Sequence, residues 1–164
     1  MPPSLPPLKK VIAGTYVDCG IKLSNSKLVC WGLGSTGADA LAQNPVPSSV
    51  ASAALDDMSI GTESACVILA TKKVRCFNFD YFAAPGDNEI TLLPATIQAG
   101  TWKAVRVAGD VQHSVACAIS TLDKVSCWGV EGAGQTTLPD LANKPVVWSD
   151  PIFDDFVPAK LYEG

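Results

Sequence analysis

The chain has 164 residues, of which 48% are hydrophobic and 17% charged, with a formal net charge of −4. Those values suit one folded domain with a sizeable core. They disfavour a nucleic-acid binder, which needs clustered cations to displace phosphate counterions, and no stretch reaches the roughly eighteen consecutive apolar residues of a membrane span.

The first segment, 1–7, reads Met-Pro-Pro-Ser-Leu-Pro-Pro and carries no apolar h-region of a signal peptide. Its prolines favour an extended polyproline helix or a linker. Ser4 is a candidate for O-linked sugar, and no Asn-x-Ser/Thr sequon occurs in the chain.

From residue 8 the chain repeats itself with a period of about fifty residues, a length that means propeller blades or solenoid units. The first copy, 8–50, contains Val11-Ile12-Ala13-Gly14, Asp18-Cys19-Gly20-Ile21 and Leu28-Val29-Cys30-Trp31-Gly32, with Gly37 seven residues past the second cysteine. The second, 51–97, is degenerate. It contains Met58-Ser59-Ile60-Gly61, Ala65-Cys66-Val67-Ile68 and Val74-Arg75-Cys76-Phe77-Asn78, with Ala83 in place of the glycine. The third, 98–157, contains Val107-Ala108-Gly109, His113-Ser114, Ala116-Cys117-Ala118-Ile119 and Val125-Ser126-Cys127-Trp128-Gly129, then Gly134-Gln135. Extra residues between Gly109 and Cys117 leave its register the least fixed. Proline followed by an aliphatic three residues later marks each connector (Pro47 with Val50, Pro94 with Ile97, Pro158 with Leu161), so 158–164 reads as the start of a further blade or a docking strand.

Each copy predicts one strand ending at Gly14, Gly61 or Gly109, a second holding the first cysteine and a third holding the second. Polar turns join the last two at 24–27, 71–73 and 120–124. A fourth strand is expected in the longer segment between copies. The best helix signal runs from Ser48 to Leu55.

Two strands joined by a turn of about four residues bring the paired cysteines to roughly 4.5–5.5 Å between Cβ atoms, close to what a disulfide requires. The expected bridges are Cys19–Cys30, Cys66–Cys76 and Cys117–Cys127, each stabilising by about 2–3 kcal/mol in the chain-entropy account. Free buried thiols are the alternative. Metal ligation is the remotest, because zinc sites pair ligands two to four residues apart. Oxidised cysteines require an oxidising compartment, so the expected location is extracellular or at the cell surface. The chain is then expected to be a mature or excised segment whose leader is missing.

The run Ala-Gly, His-Ser, Cys-Ala-Ile, a turn, Val-x-Cys-Trp-Gly and Gly-Gln resembles repeats of the regulator of chromosome condensation superfamily. In its cysteine-paired form it is similar to crinkly-type plant receptor-kinase ectodomains and related secreted proteins, and to the propeller type of β-lactamase inhibitor protein II. The resemblance is strong in the third copy, good in the first and poor in the second. It implies four-stranded blades around a central axis, usually seven, with Trp31 and Trp128 as blade-core aromatics. Three blades depart from that number, so the remaining blades are expected from a longer chain or from self-assembly.

Candidate chemistry is sparse. His113 is the only histidine, and no nucleophile motif accompanies it; the resemblance implies that it packs at a blade edge. Asp56-Asp57 and Asp154-Asp155 lack the alternating spacing of a calcium loop and read as solvated turns. No Gly-Lys-Ser/Thr phosphate loop is present. The cluster Phe77-Asn78-Phe79-Asp80-Tyr81-Phe82 stands where the other copies have Trp-Gly and glycine-rich residues. Aromatics are enriched at interface hot spots, so Phe79, Tyr81 and Phe82 are candidate partner contacts, with ordinary packing as the alternative.

The expected protein is therefore all-β, with three blades of a partial propeller and one intra-blade disulfide in each. It is expected to have no catalytic residues, cofactor or metal. It would act through protein contacts as scaffold, assembly subunit or receptor ectodomain. A carbohydrate-binding propeller, with a glycan as ligand, and a secreted enzyme inhibitor are the alternatives.

Overall fold

The computed structural model describes residues 5–32, 46–62, 64–79, 92–109 and 114–130. These form β1 (Leu8–Ile12), β2 (Val17–Lys22), β3 (Leu28–Gly32), α1 (Ser48–Ala51), β4 (Leu55–Ile60), β5 (Ser64–Leu69), β6 (Val74–Asn78), α2 (Ala95–Ala99), β7 (Trp102–Ala108), β8 (Val115–Ser120) and β9 (Val125–Gly129). Each consecutive trio of strands is one antiparallel sheet with its strands in chain order. The expected class is the one observed: all-β, three propeller blades, one disulfide in each.

The cysteines lie directly opposite in register, Cys19 with Cys30, Cys66 with Cys76 and Cys117 with Cys127. Their Cα atoms are 4.1, 4.1 and 4.0 Å apart, near the separation of a non-hydrogen-bonded antiparallel pair. A second repeat feature lies in the first strand of each blade. Register slips between Leu8 and Lys10, between Leu55 and Asp57, and between Trp102 and Ala104. Lys9, Asp56 and Lys103 are thus the extra residues of three equivalent bulges, where the strand twists and a side chain is re-aimed.

The hairpin turns repeat as well. Ser26, Lys72 and Asp123 each adopt positive φ, near 60°, an uncommon state for non-glycine residues. The following lysine carbonyls close the turns: Lys27 O accepts from Lys22 N, Lys73 O from Leu69 N and Lys124 O from Ser120 N. The bulge side chain reaches this turn in every blade. Lys9 donates to Ser26 Oγ, Lys72 pairs with Asp56, and Lys103 pairs with Asp123.

The blades stack face to face through two apolar layers. Val17, Cys19 and Ile21 pack with Met58, Ala65, Val67 and Phe77 between the first and second blades. Cys66, Ile68 and Val74 pack with Val105, Ala116, Ala118 and Trp128 between the second and third. Successive residues of β5 therefore serve opposite layers, which is why this strand is a continuous apolar run. Backbone hydrogen bonds cross both steps. Leu55 N donates to Ser26 O at 2.8 Å, and Trp102 N donates to Lys72 O at 2.9 Å.

The connector marker has a physical meaning. Pro47 and Pro94 are the N-caps of α1 and α2, and Val50 and Ile97 are the residues these helices bury. The buried indole Nε1 of Trp102 donates to Ile97 O at 2.9 Å, fastening α2 to the third blade. The counterpart Pro158 with Leu161 lies outside the described residues, as does segment 158–164 as a whole.

Four expectations need correction or placement. The helix is Ser48–Ala51 and does not extend to Leu55, because Leu55 is needed as the first residue of β4, bonded to Ser26 O. Asp56 and Asp57 form no solvated turn; both lie in β4, and Asp57 is buried by its neighbours in adjacent blades. In the third copy the residue opposite Cys117 is Arg106, as Ser59 is opposite Cys66. Ala108, one residue before Gly109, therefore occupies the position of Gly61. The expected fourth strands fall on segments outside the described residues, apart from 46–54 and 92–101, where α1 and α2 stand.

Candidate interaction surface

Beyond the first strands the chain must turn sharply at three neighbouring corners. Ala13, Gly14 and Thr15, then Ile60, Gly61 and Thr62, then Val107, Ala108 and Gly109 line one shared cavity of about 290 Å³. Crowding keeps a side chain off Gly14. A Cβ on Gly14 would stand 2.5 Å from Val17 O, within a backbone that cannot yield. The lining has no titratable side chain, so the cavity has shape but no evident acid–base or nucleophilic chemistry. Among the described residues, no group of three or more His, Cys, Asp or Glu is placed to hold a metal ion.

The main buried charge is Asp57, only 7% exposed. It sits on the first strand of the middle blade, between the first strands of its neighbours. Lys10 of β1 pairs with Oδ1. Oδ2 accepts the Val105 amide at 2.9 Å and Arg106 Nη1 at 3.0 Å, both from β7. Two residues on, Ser59 Oγ accepts the Val107 amide at 2.9 Å. A carboxylate removed from water is tolerable only with such compensation. The cluster is a rivet through three blades.

The aromatic cluster divides. Phe77 and Phe79 meet edge to face with ring centroids 5.3 Å apart, and both belong to the layer between the first two blades. Phe79 is 6% exposed, so among the described residues its ring is spent on packing. Tyr81 and Phe82 lie outside the described residues, as do His113, Asp154 and Asp155. Trp128 is buried as the resemblance implied, whereas Trp31, its counterpart on the first blade, is half-buried. Exposed large apolar side chains include Val11 and Tyr16 on the first blade, with Leu23 and Leu122 at hairpin turns.

Asp57 and Trp102 were missed as structural residues in the sequence. The signal available for Asp57 was periodic: it occupies the same register position as Lys10 one repeat earlier.

No protein-family model matches the chain, and no curated protein matches it. Solved structures do. The CRINKLY WD40 ectodomain of the Arabidopsis thaliana receptor kinase ACR4 is similar with a TM-score of 0.51 at 21% identity, over 75% of this chain and 37% of that one. The entire ectodomain of the Physcomitrella patens receptor kinase CR4 gives 0.55 at 23% identity, over 77% and 29%. The C-terminal domain of gp131 from bacteriophage phiKZ gives 0.52 at 13% identity, over 88% and 42%. The chain thus spans well under half the length of the structures it matches. At these identities the likeness defines a fold class, that of propeller-type repeats. No helix among the described residues is long and apolar enough to cross a membrane.

Proposed function

We propose that this chain is a non-enzymatic, extracellular or cell-surface interaction module whose stacked blades hold variable loops for protein recognition. The observation that carries this reading is the one-per-blade disulfide on a rigidly riveted stack. Disulfides persist in oxidising compartments, and rigid scaffolds that carry recognition on their loops are a recurrent use of such folds. Two of the similar structures are ectodomains of receptor kinases, and a comparable scaffold or ectodomain role is assigned to this chain by that analogy. The working units are residues 8–50, 51–97 and 98–157, and Tyr81 and Phe82 are the partner contacts.

The test uses the oxidised full chain, secreted and immobilised, against the extracellular fraction of its source. A defined partner, lost from the Tyr81→Ser/Phe82→Ser double variant with the fold intact, is the expected result. Retention of every bound protein by that variant would exclude these two residues. Failure of the chain to traverse a secretory route with its disulfides formed would exclude the location.

A further inference from the structure

Each blade has a trailing face, turned to the next blade, and a leading face, turned to the previous one. The trailing face carries the disulfide. Val17 and Cys19 of the first blade, and Ser64 and Cys66 of the second, are all buried under the blade that follows. Register puts Val115 and Cys117 at the same positions of the third blade, and there both are only half-buried. The leading face shows the converse. Val11 is 42% exposed, while Met58 and Val105, its register counterparts, are 1% exposed under the blade that precedes them.

The two end faces are also complementary in polar groups. Both internal steps use a backbone bond from the first residue of the following blade to the positive-φ turn residue of the preceding one. Continuing the series pairs the Leu8 amide with the Asp123 carbonyl, and among the described residues neither makes an inter-blade bond. Ser59 on the second blade's trailing face meets Val107, which lies opposite Ala116. Arg106 holds Ser59's position on the third blade and reaches back to Asp57, while Asp18 holds Ala116's position on the first and accepts the Gly14 amide at 3.2 Å.

We propose that the trailing face of the third blade docks on the leading face of the first blade of a second copy of this chain, head to tail. The inference rests on the interaction-module reading and names one partner for it. Such a contact is heterologous, so it extends into a ring or an open array.

Sedimentation velocity on the intact, oxidised chain over a wide concentration range tests it. The expected result is a species of two or more chains. Val11→Arg should weaken association at least tenfold, with circular dichroism unchanged. Leu92→Arg, on an exposed connector residue, should leave association intact. Oxidative footprinting of the Val115 side chain should increase on dilution. A wild-type monomer at high concentration overturns the proposal. So does an assembly indifferent to Val11→Arg, or concentration-independent shielding of the Val115 side chain, which would mean that the chain covers this face itself. A monomer that still captures another protein through Tyr81 and Phe82 overturns the self-docking alone and leaves the interaction-module reading standing.

Discussion

The Asp57 carboxylate accepts the Val105 amide at 2.9 Å, joining residues 48 positions apart in neighbouring blades. The same side chain holds Lys10 and Arg106. Removing it takes this acceptor from an amide and this counter-charge from two cations. Breaking a sealed pair costs about 3–5 kcal/mol, and partly exposed cations recover some hydration, so Asp57→Ala should cost about 2–3 kcal/mol. Asp57→Asn keeps an acceptor for Val105 and should cost less. Urea denaturation with an unchanged m-value measures both. Equal losses for Asn and Ala would mean that the retained acceptor contributes nothing and that the charge carries the whole effect.

Lys72 and Asp56 make the turn-to-bulge contact that Asp123 and Lys103 make one blade later, with the charges exchanged. Geometry therefore specifies contact between these two positions and leaves the sign at each end open. All four side chains are at least a third exposed, where such pairs contribute roughly 0.2–1 kcal/mol. The exchange Asp56→Lys with Lys72→Asp should return stability to within about 0.5 kcal/mol of wild type, with each single change lower. A double-mutant cycle reads the coupling, and it should shrink in 1 M salt. A double variant less stable than either single would refute equivalence of the two sites.

Local features of this fold were legible in the sequence. Cysteines ten or eleven positions apart on alternating strands meet because hairpin register is set within one turn. The strand positions followed from the same alternation. Asp57 was not legible in that way, because its compensation comes from Lys10 and Arg106, each more than forty residues distant. Beside Asp56 it looked like a turn. Gly109 misled the alignment because the third copy's longer connection to Cys117 shifts the glycine past the strand end, so that Ala108 takes the corner. Phe79 is explained by a neighbour two residues away, Phe77, whose ring it meets edge to face.

The three disulfides should differ in what they contribute. Each closes a short loop of similar length, so the entropic part is common to all, about 2–3 kcal/mol. Their surroundings are not. Cys66 is fully buried between two blades, whereas Cys117 lies on the half-buried end face. Replacing Cys66 and Cys76 by alanine adds lost packing within a sealed layer, roughly 1–2 kcal/mol beyond the loop entropy. The Cys117/Cys127 double alanine variant should lose only the common part. Thermal melts of the two variants in dilute solution rank them, and the reverse order would mean that the third blade's end face is the better sealed.

Ser64 stands opposite Asn78 in register, and neither Ser64 Oγ nor Asn78 Oδ1 has a hydrogen-bond partner among the described residues. The equivalent pairs are Val17 with Gly32 and Val115 with Gly129, so the other blades meet this position with an apolar side chain and no side chain. The middle copy carries two polar groups into the layer instead. A buried hydroxyl without a partner costs about 1–3 kcal/mol. Ser64→Ala removes it with little change in volume. The variant should gain up to about 1 kcal/mol, part of the gain being offset by the small gap left behind. Equilibrium denaturation reads the sign directly. A loss of stability would show that Oγ is bonded in solution, and the second blade would then owe part of its hold on the third to that bond.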